Sequence, residues 1–461
     1  MINLEFAAIQ HRLAGPAGLT VRVVVLVLLT LLLLIPLSMI DDLIDERSIR
    51  RSQVESEIAA QWGGEQLVGG PMLAIPHVVR RTEIKSNGTA VDHEDRRMVY
   101  ALPSRLDVNA VVKAERRYRS IYDFLVYGVE IELTGRFTLP DFREWNIDAK
   151  DVRWNEATLT VGIADMHGVR AASFLFDGRS LSLTPNLSKA QLFAAGLAGR
   201  PLESVPAASG SVHAFTVKLA LNGSSSLRIL PFGNDTAIKM AADWPHPNFI
   251  GANLPAAREI GDDGFTAEWA LSYLARPYPP SWRAEDLNFR ELPDGGVGVE
   301  LILPGDSYQQ TDRIVKYGVM VIGLTFATIF VVGLLKAARA HTVQYLLVGA
   351  SICLFYLLVL SLSEHIRFIQ AYVVASLVNM ATISVYAART IGRVSGAVVA
   401  AILAVIHGWM FVLLQMADYV LLSGSAGLFA ALILMMYATR NVDWFRLGSS
   451  AHERRAPVPS T

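Results

Sequence analysis

Catalysis rests on a few side-chain types held at characteristic spacings, and this 461-residue chain offers ten histidines and one cysteine for the purpose. Five histidines, His77, His93, His167, His213 and His246, fall in one long hydrophilic stretch, and none stands at an H-x-H or H-x-x-x-H spacing that would aim two imidazoles at one ion. Cys353 sits in an apolar run and has no second cysteine to pair with. No G-x-S-x-G, S-x-x-K, Walker A or G-x-G-x-x-G motif occurs where its structural context would require it. Carboxylates are plentiful, but no pair is marked for acid–base work. The expectation is a protein that is not an enzyme and carries no metal or cofactor, its histidines being ordinary structural or surface groups.

Other polar residues stand out by position. In Trp244-Pro245-His246-Pro247 the two prolines fix φ and exclude helix, holding Trp244 and His246 in an extended, rigid loop. Such a loop is either a structural corner around a buried indole or an aromatic surface offered to a partner. Asp312, Arg313 and Lys316 directly precede a long apolar run, Glu364 and His365 close another, and Asp418 marks a further boundary. Asn379 and His407 lie deep inside apolar runs. An ionised group at mid-bilayer costs roughly 2.5–3.5 kcal/mol on the insertion scale, so polar residues there face a bundle or a cavity. For Asn379 and His407 an interhelical hydrogen bond is the plainer reading, and a proton or solute path the alternative.

The elements that must position these groups follow from hydropathy. The chain is 52% hydrophobic and 18% charged, and the apolar excess is confined to one stretch near the N-terminus and the last third. A first span is expected over residues 23–40, with Pro36 near its far end. A cleaved signal peptide is the competing reading, but Ser38-Met39-Ile40 lacks the small residues a signal peptidase requires. Five more spans are expected near 317–335, 343–362, 368–387, 396–415 and 419–438, each close to the ~20 residues that cross the hydrocarbon. Placing the N-terminus in the cytoplasm puts Arg12, Arg22, Lys336, Arg339, Arg389, Arg393, Arg440, Arg446, Arg454 and Arg455 on that side and leaves only Arg367 in the short outer loops. The resulting plan is a cytoplasmic N-terminus (1–22), a first span (23–40), an outer domain (41–316), a block of five spans (317–438) and a cytoplasmic tail (439–461).

The outer segment holds 37 acidic and 30 basic residues, a net charge of −7, which argues against lying flat on anionic head groups. With a whole-chain charge of −1 and no long basic run, a nucleic-acid partner is not expected. Residues 44–58 read as a helical continuation of the first span, stopping at Gly63-Gly64. Beyond them the apolar period becomes 2. Ala157, Leu159, Val161 and Ile163 share a face, as do Val129, Ile131 and Leu133, then Phe265, Ala267, Trp269, Leu271 and Tyr273, and finally Val297, Val299, Leu301 and Leu303. Asp177-Gly178 predicts a hairpin turn, and Asn222-Gly223 a second, between a strand through Phe215, Val217, Leu219 and Leu221 and a return through Leu227 and Ile229. One helix is expected near Ser188–Leu197. The fold class is thus a mixed membrane protein, one plus five transmembrane helices with a large antiparallel, sandwich-like β domain between them.

Several strings resemble the CreD family of inner-membrane proteins: Leu67-Val68-Gly69-Gly70-Pro71-Met72-Leu73-Ala74-Ile75-Pro76, Asp243-Trp244-Pro245-His246-Pro247, Tyr308-Gln309-Gln310-Thr311-Asp312-Arg313, Gln344-Tyr345-Leu346-Leu347-Val348-Gly349, Phe355-Tyr356-Leu357-Leu358 and Leu362-Ser363-Glu364-His365. The resemblance spans nearly the whole chain. Thr342 stands where the pattern has proline and Arg367 where it has glycine. The resemblance implies a Gram-negative inner-membrane protein linked to cell-envelope integrity and to responses against envelope-active agents such as β-lactams; it supplies no reaction.

Two kinds of function remain open beside it. The leading expectation is periplasmic binding or sensing coupled to the membrane bundle, with the lipid bilayer and an envelope protein or cell-wall component as partners and Asp312, Arg313 and Lys316 as the coupling point. A transporter or flippase would need a path lined by Asn379, His407 and Glu364. A membrane-tethered periplasmic hydrolase would need a nucleophile that no motif supplies.

Overall fold

The computed structural model describes residues 16–84, 90–185, 195–201, 208–275, 278–286, 295–304, 307–336, 341–416 and 419–440. Of the residues singled out above, Asp418 and the orientation-setting Arg12, Arg339, Arg446, Arg454 and Arg455 lie outside these. The chain forms two compact units, Arg51–Pro304, and Met1–Arg50 together with Gly305–Thr461. Among the described residues six helices are long and apolar enough to cross a membrane, one near the N-terminus and five toward the C-terminus, as hydropathy requires.

Helix α1 runs unbroken from Pro16 to Trp62, so residues 44–58 are helical. It stops at Gly63, whose φ of +131° is open to glycine at little cost and whose missing side chain lets the backbone pass close to the Asn222 carbonyl.

Among the described residues the central unit holds seventeen strands: β1 (Gln66–Ile84), β2 (Ala90–Ala101), β3 (Arg105–Arg119), β4 (Tyr122–Thr138), β5 (Thr158–Ile163), β6 (Val169–Phe176), β7 (Arg179–Ser180), β8 (Thr184–Pro185), β9 (Gly196–Gly199), β10 (Val212–Ser224), β11 (Ser226–Ile229), β12 (Asp235–Ala242), β13 (Pro247–Gly251), β14 (Ala257–Gly261), β15 (Gly264–Ser272), β16 (Ser281–Arg283) and β17 (Val297–Leu301). They form a nine-stranded sheet, β13-β17-β11-β1-β5-β9-β8 with β2 beside β1 and β16 beside β2, and an eight-stranded sheet, β14-β15-β12-β3-β4-β10-β6-β7. Both are mostly antiparallel, and β1 with β11 in the first and β3 with β12 in the second run parallel. The inward faces hold the alternating residues read from sequence, including Val129, Ile131, Leu133, Leu159, Val161, Val217, Leu219, Ala267, Trp269, Val297 and Val299 in one core.

Three expectations change. Asn222-Gly223 is not a turn: β10 continues through both, paired with β4 as far as Ser224 and Val126, and the chain passes to the other sheet at Ser225, φ 59°. The reason is packing. A side chain at Gly223 would collide with the Tyr127 ring, so this glycine serves a close contact within a strand. Of the helix expected near Ser188–Leu197, residues 186–194 lie outside the described residues, and its end, Gly196 and Leu197, is strand β9. Tyr273 falls beyond β15, in a short 3-10 turn with its ring exposed. Asp177-Gly178 does turn the chain, with both residues at positive φ and Arg179 returning beside Phe176.

In the membrane unit, α2 (Ser307–Lys316) precedes the helices α3 (Gly318–Leu335), α4 (Thr342–Ser363), α5 (Phe368–Thr390), α6 (Arg393–Gln415) and α7 (Val420–Thr439). Leu29, Leu33, Leu37, Ile40 and Ile44 recur at helical spacing and are buried, while Val27, Leu28, Leu31, Leu32, Ile35 and Met39 on the other side of α1 are exposed. An apolar helix with one packed side and one bare side is suited to lipid on the bare side. Gly318 and Gly349 let α3 and α4 close on Leu37 and Leu33.

Candidate functional site

Sequence reading treated Asp312, Arg313 and Lys316 as a joint before the second span; the structure makes them part of a distinct amphipathic helix. In α2, Tyr308, Thr311, Ile314 and Val315 are buried and Gln309, Arg313 and Lys316 are exposed, an i, i+3, i+7 pattern visible in the sequence once a helix is considered. Lys316 Nζ donates to Asp312 Oδ2 at 2.6 Å, one turn apart. That hydrogen bond raises the ammonium pKa, with the Asp41 and Asp45 carboxylates adding to it. Arg313 is exposed and has no ion-pair partner among the described residues.

The buried side of α2 reaches Glu364. The Tyr308 hydroxyl donates to Glu364 Oε1 at 3.2 Å. Arg47 of α1 places a guanidinium nitrogen 3.9 Å from the same oxygen, and the Glu364 side chain is only 13% exposed. Glu364 thus gathers three elements of the membrane unit: α1, α2 and the end of α4. His365 beside it is exposed and uses Nδ1 on the Ser361 carbonyl at 3.2 Å. Tyr308 and Arg47 had been given no role from sequence, because nothing local relates positions 47, 308 and 364.

Asn379 and His407 meet inside the bundle, between α5 and α6. His407 Nδ1 lies 3.0 Å from the Leu403 carbonyl, which fixes the proton there and leaves Nε2 to accept from the Asn379 amide at 3.4 Å. Asn379 Oδ1 accepts from the Ser351 hydroxyl of α4 at 2.9 Å, and the Tyr372 hydroxyl donates to the His407 carbonyl at 2.7 Å. In this network of hydrogen bonds Asn379 stands in the middle, and a carboxamide has no acidic proton to pass on. The arrangement pins α4, α5 and α6 together. Glu364 is not part of it: Asn379 lies eleven residues beyond Phe368, the start of α5, about 16 Å along the axis.

Trp244 and His246 stay in the β unit. Trp244 is half-buried against the core, donates Nε1–H to the Ile302 carbonyl at 2.9 Å and lies under the Arg116 guanidinium at 5.3 Å, as a structural corner does. His246 is exposed at the ring edge, and Pro247 opens the edge strand β13. Among the described residues no three His, Cys, Asp or Glu side chains converge as metal ligands.

Comparison with known proteins extends the picture. The family model for inner membrane protein CreD matches residues 18–445. The inner membrane protein CreD of Escherichia coli (strain K12) is 33% identical over 422 residues, covering 90% of this chain and 91% of its own. Among solved structures, a chain from Legionella pneumophila, provisionally described as a nutrient binding protein, aligns over 49% of this chain and 77% of its own at 8% identity and a TM-score of 0.21, too low to bear on fold or function.

Proposed function

This chain belongs to the CreD family of inner membrane proteins, and on that premise we propose that it supports cell-envelope integrity and the envelope-stress response by binding or sensing a periplasmic partner and passing the bound state to its membrane bundle. In this reading the β unit lies in the periplasm and both termini in the cytoplasm, the arrangement favoured by the distribution of Lys and Arg among the short loops.

One observation carries the coupling. The chain leaves the membrane unit at Arg50 and re-enters it at Gly305; Arg47, just before the exit, and Tyr308, just after the return, both meet Glu364. A displacement of either connection is felt at the same carboxylate. Lys316 and Asp312 fix the depth of α2 at the boundary through their charges, which resist entering hydrocarbon.

The test has two arms. Alkaline phosphatase fused after Thr461 stays inactive and fused within the β unit becomes active if the sidedness holds. Reversing the charges at Asp312 and Lys316 lowers tolerance to envelope-active agents while leaving the protein in the membrane; unchanged tolerance at normal protein levels would remove the coupling role. Photocrosslinking from position 246, on the exposed rim beside β13, identifies the partner.

A further inference from the structure

Three residues with no role so far are hydrogen-bonded in series at one rim of the β unit. Asp177, at the β6–β7 turn, has φ 48°, which carries its carboxylate back over β10. There Oδ1 accepts the Ala214 N–H at 2.9 Å and Oδ2 lies 2.7 Å from His213 Nδ1. His213 is 5% exposed, with Phe176 stacked on its ring at 5.4 Å. Its other nitrogen, Nε2, lies 2.8 Å from Ser211 Oγ. Ser211 is half-buried just before β10, on a turn closed by its own N–H to the Ala208 carbonyl at 3.0 Å.

The order of partners determines the tautomer. Asp177 has only acceptors, so the imidazole proton sits on Nδ1, and Nε2 presents a lone pair to the serine hydroxyl. That hydroxyl has one proton and two acceptors within reach, Nε2 and the Ala208 carbonyl at 2.7 Å, so a small rotation hands it to the imidazole. The Ala208 N–H also points at Oγ, at 3.5 Å, so a backbone donor helps to hold the hydroxyl oxygen in place. A buried, carboxylate-oriented imidazole holding a half-exposed serine is the arrangement that activates a nucleophile.

We propose that Ser211 and His213 form a serine acyl-transfer site, oriented by Asp177 as a positioning residue, whose substrates are acyl esters. Ala208, Ser209, Gly210 and Val212 around the serine are exposed, so the ester arrives at an open rim, as one carried on a larger envelope molecule would. Ser211 Oγ bonds to the carbonyl carbon as its proton passes to His213 Nε2. The carbon–oxygen bond to the alcohol breaks, and the alcohol leaves with that proton. Water then attacks the acyl-serine, giving a proton to Nε2; the carboxylic acid departs and Ser211 recovers its proton. The site stands on geometry independent of the binding-and-coupling reading above, and supplies the nucleophile a tethered hydrolase would need.

The test uses the full-length protein in detergent, treated with a fluorophosphonate probe and with a p-nitrophenyl acyl ester, with the labelled peptide mapped by mass spectrometry. Label at Ser211 is expected, reduced at least about tenfold in Ser211→Ala and in His213→Gln. Asp177→Asn slows labelling and Asp177→Glu restores part of it, because only a carboxylate accepts from Nδ1–H and holds Nε2 toward the serine. Absence of label on the wild type, or label that persists in Ser211→Ala, overturns the proposal. Should His213→Gln fail to fold, Ser211→Cys decides: its thiol reacts with iodoacetamide faster than an ordinary exposed cysteine if His213 activates it, and a rate no higher than that overturns the proposal.

Discussion

The Tyr127 hydroxyl donates a 2.6 Å hydrogen bond to the Ser226 carbonyl, joining the eight-stranded sheet to the nine-stranded sheet one residue after the chain crosses between them at Ser225. The phenol is fully buried, which pushes its pKa up and keeps the proton in place for donation. Tyr127→Phe removes a buried hydrogen bond between the sheets, at a cost of about 0.5–1.5 kcal/mol. Gly223→Ala costs more, because the ring must move to admit a methyl group. Thermal denaturation of the full-length protein in detergent reads both, and a Tyr127→Phe midpoint equal to wild type would show that the bond contributes nothing.

The neutral network in the bundle predicts a modest, measurable coupling. In a double-mutant cycle of Ser351→Ala and Asn379→Leu, the interaction energy comes out near ~0.6 kcal/mol and below ~1.7, the span seen for hydrogen bonds between membrane helices. His407→Ala lowers stability without altering ion flux in proteoliposomes; a proton leak that depends on His407 would instead favour a conduction path.

At the Glu364 junction the two contacts differ in strength. Tyr308→Phe and Glu364→Ala remove a partly buried hydrogen bond and are expected to impair tolerance to envelope-active agents in cells lacking the native protein. Arg47→Gln removes a 3.9 Å ion pair whose cation is 43% exposed, an interaction worth about 0–1 kcal/mol, and leaves tolerance close to normal. Equal defects in all three variants would mean that the ion pair matters to the junction as much as the phenol contact does.

Stability of the β unit carries a pH signature from His77. The ring is 2% exposed, packed edge-on against Phe142, and its Nδ1 has no hydrogen-bond partner among the described residues. Burial lowers its pKa from 6.5, against the pull of Glu285 and helped by Arg97 and Arg283. The unfolded chain therefore takes up a proton that the folded chain refuses. Stability is full above the ordinary histidine value and declines as pH falls below it toward the folded value. Denaturation midpoints between about pH 7.5 and 5.5 follow that decline, and His77→Gln flattens it whatever its effect on the absolute midpoint. A variant with an unchanged slope would assign the decline to other groups.

By itself the sequence determined whatever depends on a short window. Crossing hydrocarbon takes about twenty successive apolar residues, so the six spans were readable without any partner. A strand with one covered face alternates at period 2, so most core positions were readable too, and Asp177-Gly178 announced a turn because positive φ is a local requirement. Tertiary structure alone decided what lies across from each residue. Asn222-Gly223 has turn chemistry yet runs straight, because Tyr127, from β4, fills the space a side chain at Gly223 would need. His213 reads as an ordinary histidine until the pairing of β10 with β6 brings Asp177, 36 positions away, within 2.7 Å of it. Glu364 gains Tyr308 and Arg47 only when the helices pack. A hydrophobic period reports that a face is covered, whereas register and packing choose the atoms that cover it.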